Sequence, residues 1–181
     1  AIEIVDKIIN ILKGLPFFLK PGCDAFGKTG LKLDNGSKII SSATTNTASI
    51  GFTIHCVYLD EFAHIPDNIV NNFWRSVYPT LSSSKVSQCI ITSTPNGTGN
   101  KFYEIWSNSL EGKNSFVNVR TDYWEVPGHD DEWAARQKAD FGEEEFAQEF
   151  ALQFNKGSKM ILKTSTMNYI NRMVREFEVK E

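Results

Sequence analysis

The sequence predicts an α/β fold: a mostly parallel sheet with a β-hairpin and flanking helices, followed by a small helical subdomain. Three observations carry that prediction. Val57-Tyr58-Leu59 is a continuous apolar run of the kind found in a strand buried on both faces of a parallel sheet, and it leads straight into Asp60 and Glu61. About 30 residues later Ser87-Gln88-Cys89-Ile90-Ile91 forms a second strand pattern that flows into Thr92-Ser93-Thr94-Pro95-Asn96-Gly97, with one helical pattern between the two. That order fits a β-α-β unit with both strand tips on one carboxyl edge, where parallel sheets bind ligands. From Asp122 onward the character changes to helices rich in acidic and aromatic residues.

At 181 residues the chain is long enough for one domain with a proper core, with room for a small appendage. Hydrophobic content of 41% and charged content of 23% are ordinary for a soluble globular protein and exclude a disordered class. The apolar runs are far too short for a membrane span, and the N-terminus lacks the basic region and cleavage site of a signal peptide. A cytosolic protein is therefore expected. The formal net charge of −3 argues against a broad basic surface, so any contact with nucleic acid is expected to be local, transient or made with another domain's help. Cys23, Cys56 and Cys89 are odd in number and contain no C-x-x-C pair, which argues against disulfides and zinc. His55, His64 and His129 show no metal-ligand spacing and are expected to be structural or exposed.

In order along the chain, Ile4, Ile8, Ile11 and Leu12 fall at helical spacing, predicting an amphipathic helix over residues 1–13 that ends near Gly14-Leu15-Pro16. The helix opens in mid-pattern at Ala1, without a capping residue, as if cut from a longer chain. Gly22-Cys23-Asp24-Ala25-Phe26-Gly27-Lys28-Thr29 then matches the phosphate-binding pattern G-x-x-x-x-G-K-[ST] letter for letter. A phosphate-binding loop must leave a buried strand and open a helix whose N-terminus faces the phosphates, and neither flank complies. Upstream, residues 15–21 are bracketed by prolines. Downstream, Leu31-Lys32-Leu33, the turn Asp34-Asn35-Gly36 and the strand Lys38–Ser42 make a hairpin, so a hairpin that imitates the motif is expected.

Residues 43–53 are small and polar, a loop before the central strand. After that strand Phe62–Pro66 is a connection, and Asp67 or Asn68 caps a helix carrying Ile69, Phe73, Trp74 and Val77. Ser82–Lys85 breaks to the second strand. Asn100–Leu110 is a further packed helix, Phe116–Val119 a further strand, and Tyr123–Gly128 a linker-like turn. Helices are predicted over Asp131–Phe141 and Glu143–Phe154, joined at Gly142, then a hinge-like break at Asn155–Lys159 and a last amphipathic helix through Met167, Ile170, Met173 and Val174.

The chemistry concentrates at the two strand tips. Neighbouring strand residues point to opposite sides, so Asp60 and Glu61 cannot share one task. One carboxylate can hold a hard cation such as Mg²⁺ in the manner of a Walker B aspartate, while the other polarises a water against a phosphate. The plain alternative is that the two acids begin a helix or cap a turn. Thr92, Ser93 and Thr94 can sense a phosphate or orient the attacking water, or else simply satisfy backbone groups around a turn.

At Val57–Pro66 and Ile91–Gly97 the sequence resembles the large terminase subunit of tailed bacteriophages, closest to the T4-like branch. The likeness runs from residue 1 to about 160 and includes Leu33–Ser37, Phe102–Trp106 and Phe146–Phe150. The resemblance implies a P-loop NTPase-type fold of the additional-strand, catalytic-glutamate class. It implies ATP and Mg²⁺ as cofactors, Asp60 as the Walker B aspartate acting on Mg²⁺ through water, and Glu61 as the catalytic glutamate. Thr92, Ser93 and Thr94 become the motif coupling hydrolysis to DNA movement. The implied partners are double-stranded DNA, a portal protein, a small terminase subunit and further copies in a ring on the procapsid, in the host cytoplasm and with no membrane.

The family's Walker A lysine lies upstream of the first helix and its nuclease domain downstream of residue 181. Many relatives carry an arginine where this chain has Ile50. The expected organisation is a partial ATPase core at 1–121, a small helical subdomain at 122–160, and a helix or linker at 161–181 leading toward a nuclease domain. The expected function is part of the ATPase motor that drives DNA into the procapsid, a fragment that alone hydrolyses ATP barely or not at all. The alternatives are a self-contained P-loop NTPase using Gly22–Thr29, a non-catalytic association module, or a helicase, against which the Thr-Pro-Asn-Gly run speaks.

Overall fold

The computed structural model describes residues 2–43, 54–82 and 86–154. Most of the polar loop at 43–53, with Ile50 in it, lies outside the described residues, as do most of the 82–85 break, the hinge at 155–159 and the last helix.

Helix α1 (Ile2–Gly14) packs on a three-stranded antiparallel meander of β1 (Cys23–Gly27), β2 (Gly30–Leu33) and β3 (Lys38–Ile40), in the order β1-β2-β3. Its inward stripe is Val5, Ile8, Ile9 and Leu12, set against Leu31, Leu33 and Ile39, while Ile11 points outward. The predicted face is thus rotated, with Val5 and Ile9 taking the inward places expected of Ile4 and Ile11. The sheet extends one strand further back than the predicted hairpin, since β1 is built from the look-alike motif itself. Gly27 pairs with Gly30 across the tight Lys28-Thr29 turn. Gly30 is required there: a Cβ would sit 2.3 Å from the Ile39 carbonyl oxygen. At the second turn Asn35 Oδ1 accepts from Ser37 N at 3.0 Å and Gly36 takes φ +84°.

The predicted β-α-β unit is present. Strands β4 (Cys56–Leu59) and β5 (Gln88–Ile91) are parallel, with Cys56 opposite Gln88 and Leu59 opposite Ile91, and α2 (Asp67–Ser82) connects them. Leu59, Phe62, Ala63, Val70, Phe73, Val77 and Leu81, with Phe102 and Ile105 of α3 (Lys101–Leu110), form one core cluster. The prediction that β4 is buried on both faces is corrected. Val57 and Leu59 turn inward beside Cys89 and Ile91, but Tyr58 is 48% exposed and Ile90 47% exposed. Helices α2 and α3 supply a layer on one face only, so strict alternation decides which residues are covered.

Asn100 caps α3, its Oδ1 accepting from Tyr103 N at 2.9 Å. Asp67 is the first helical residue of α2. The predicted strand at Phe116–Val119 joins no ladder among the described residues. Side chains hold it instead: Phe116 N donates to Asn114 Oδ1 at 3.0 Å, and Asn118 Nδ2 donates to the Trp106 carbonyl at 3.0 Å. Between this segment and the outer edge of β5 runs a groove of about 810 Å³ lined by Ile90, Ile91, Trp106, Phe116, Val117 and Val119 among others.

A 3-10 turn at Tyr123–Glu125 leads into the helical hairpin α4 (Asp131–Phe141) and α5 (Glu143–Glu149), hinged at Gly142 with φ +104°. Tyr123, Trp133, Phe146 and Phe150 interlock there through edge and stacked contacts between 5.2 and 6.4 Å. The helix expected to reach Phe154 stops at Glu149. Leu152 takes a left-handed φ of +51°, which turns the chain so that Phe154 packs on Phe102, Tyr103 and Trp106. Arg120 Nη2 spans the return, donating to Asp122 Oδ1 and to the Ala151 carbonyl oxygen at 3.0 Å.

Candidate active site

The ladder between β4 and β5 continues past the strand ends, and that continuation builds the site. Thr92 N donates to the Leu59 carbonyl at 2.9 Å, and Phe62 N donates to the Thr92 carbonyl at 3.2 Å. The two predicted clusters, Asp60-Glu61 and Thr92-Ser93-Thr94, are therefore side by side.

Asp60 lies at the exposed tip. Its Oδ1 accepts from Thr92 Oγ1 at 3.0 Å and from the Tyr58 hydroxyl at 3.3 Å, and the two hydroxyls lie 2.9 Å apart. Tyr58 reaches Asp60 because residues two apart in a strand share a face. One carboxylate oxygen is thus fixed by two hydroxyls while Oδ2 carries no hydrogen bond from the described residues, leaving it free for a ligand. That donor set fits Mg²⁺, which keeps most of its waters and is bound by one or two carboxylates plus phosphate oxygens. It does not make a protein-only cage: among the described residues no three His, Cys, Asp or Glu side chains converge on a metal position.

Glu61 adopts φ 50°, ψ 42°, a left-handed conformation that disfavours any side chain with a Cβ. Its side chain is 62% exposed, and its Oε2 lies 3.7 Å from His64 Nε2. The 3-10 turn Phe62–His64 that follows is buried at Phe62 and Ala63 and clamped by the loop after β5. Ala63 N donates to Ser93 Oγ at 3.0 Å, Asn96 Nδ2 donates to the Ala63 carbonyl at 3.1 Å, and His64 Nε2 meets Thr94 Oγ1 at 3.0 Å. Each of Thr92, Ser93 and Thr94 therefore contacts the acidic segment, one to Asp60, one to the turn and one to His64.

Three contributors were not singled out in the sequence: Tyr58, His64 and Asn96. Tyr58 carries a signal in retrospect, lying two residues before Asp60 on the same strand. His64 and Asn96 carry none, because their partners are about 30 residues away. The look-alike motif is elsewhere. Its backbone belongs to the β1–β2 ladder, Gly22 N donates to Asp34 Oδ2 at 3.2 Å, and no helix follows Thr29.

The fold and site define an α/β protein with paired parallel strand tips, one presenting adjacent carboxylates and the other a run of hydroxyls. Residues 12–168 match the family described as terminase large subunit, T4likevirus-type, N-terminal, and the chain belongs to that family. The family places it in phage genome packaging. None of the described helices is long and apolar enough to cross a membrane.

Proposed function

We propose that this chain is part of the ATP-hydrolysing motor of a large terminase, driving double-stranded DNA into a procapsid. The observation that carries the reading is the junction of β4 and β5, where Thr92 joins Asp60 while the Ser93–Asn96 loop grips the turn that follows Glu61. In this reading the strands belong to a P-loop NTPase-type sheet of the additional-strand, catalytic-glutamate class. Residues 1–121 are the partial ATPase core, 122–160 a helical subdomain, and 161–181 lead toward a nuclease domain.

Asp60, held through Oδ1 by Tyr58 and Thr92, would hold Mg²⁺ through water. Bound there, the ion would neutralise charge on the phosphates of ATP. Glu61, on the exposed side of the tip, orients and polarises the attacking water. Thr92, Ser93 and Thr94 couple hydrolysis to movement, because any shift at the carboxylates pulls directly on the loop after β5. The partners of the assembled machine are DNA, the portal protein, the small terminase subunit and other copies in a ring, in the host cytoplasm.

The phosphate cradle comes from outside Gly22–Thr29, whose backbone runs through the β1–β2 hairpin and leads into a strand rather than a helix. The test is Mg²⁺-dependent binding of a fluorescent ATP analogue to the purified chain. Binding is expected to be weak, reduced further by Asp60→Ala and indifferent to Lys28→Ala. Tight binding lost in Lys28→Ala would instead make this a self-contained nucleotide-binding protein.

A further inference from the structure

His64 stands between the two halves of the site, and its position goes beyond the roles assigned above. Resting on the assignment of Glu61 as the water-orienting base, we propose that His64 is a positioning residue that links the Glu61 carboxylate to the loop after β5 through one N–H that bonds Thr94 Oγ1 and stands within ion-pair reach of Glu61. Its Nε2 lies 3.0 Å from Thr94 Oγ1 and 3.7 Å from Glu61 Oε2. A bare Nε2 would turn a lone pair toward the carboxylate, which is repulsive. A protonated Nε2 faces two acceptors, and one proton serves the nearer more fully.

The surroundings make this an exchange rather than a static bond. The turn bearing His64 cannot drift with Glu61: its Phe62 and Ala63 are buried, and backbone and side-chain bonds pin it to Thr92, Ser93 and Asn96. Glu61 is free to swing, being exposed and bonded elsewhere by no side chain among the described residues. Displacement of the Thr94 hydroxyl therefore releases the N–H to Glu61 and draws the carboxylate out of its water-orienting pose. Return of Thr94 reverses the exchange. The position of the 92–97 loop is thereby reported to the base by a single hydrogen.

The chain of 181 residues is suited to a direct test, a long-range ¹H–¹⁵N spectrum of the histidine rings at a pH where they are neutral. His64 is expected in the Nε2–H form, with the Nδ1–H form growing in Glu61→Gln, which removes the anion that favours a proton on Nε2. An Nδ1–H ring in the wild type, or a tautomer ratio unmoved by Glu61→Gln, overturns the proposal. In the packaging ATPase containing this chain, His64→Phe is expected to lower kcat about tenfold with KM unchanged. His64→Gln, whose amide places an N–H where Nε2 lies, recovers most of that loss; equal losses in the two variants refute the shared-hydrogen role. Normal turnover in Glu61→Gln refutes the assignment of the base itself, an outcome separate from the tautomer result.

Discussion

Glu61 is the residue at which folding and chemistry pull apart. A glutamate at φ 50° holds a conformation in which glycine would be unstrained, so Glu61→Gly is expected to raise stability by about 1 kcal/mol in urea titration while abolishing hydrolysis in the intact motor. Loss of stability in that variant would mean that the carboxylate contributes to the fold. Thr92→Val tests the neighbouring carboxylate: with one of two hydroxyls gone, Asp60 should bind Mg²⁺–nucleotide more weakly, without a change in the core. Cys89 supplies a pH prediction. Burial, aided by nearby Cys56, pushes its thiol from 9.0 up to about 11. The folded state keeps the proton longer than the unfolded state, so stability is intact below about pH 9 and is lost as pH climbs toward 11. Cys89→Ala should flatten that decline. At this scale the acids and hydroxyls were legible because their types are chemically marked and stand at strand ends. Tyr58 and His64 were not singled out, because an aromatic in a strand and an isolated histidine look like packing until a partner distant in sequence is in place.

At the scale of elements, the β-α-β unit was readable from short apolar runs separated by a helical stripe, and its core is concentrated accordingly. Phe62, the most deeply buried aromatic among the described residues, contacts the Trp74 ring at a centroid distance of 5.7 Å and anchors the turn that follows Glu61. Phe62→Ala should cost about 3–5 kcal/mol and be visible as a lowered thermal midpoint. The errors have one source. Periodicity reports which residues want to be covered, whereas coverage depends on neighbours that a local window does not contain. For that reason Tyr58 reads as buried, Ile11 reads as the inner side of α1, and Phe116–Val119 reads as a strand though it joins no ladder among the described residues. The helix after Gly142 ends early at Glu149 because Phe154 is drawn back onto α3, a long-range pull with no local punctuation except a leucine at positive φ.

Across the whole molecule the described residues contain two separate cores, one around Val5, Leu31 and Leu33 and one around Phe62, Val70 and Val77. All four tryptophans lie after residue 70, Trp74 and Trp106 on the second core and Trp124 and Trp133 around the helical hairpin, so fluorescence is blind to the first core. Val5→Ala is expected to shift an early phase of urea unfolding seen by far-UV circular dichroism while leaving the tryptophan transition in place. A common shift in both signals would show that the cores unfold as one. The groove beside β5 has a practical corollary. A short strand whose outer backbone pairs with no strand among the described residues, with Ile90 half bare, is a template on which further strands can stack, so concentrated solutions of this chain should form β-rich, thioflavin-binding aggregates seeded at Gln88–Ile91. Ile90→Lys would act as a gatekeeper, delaying that stacking.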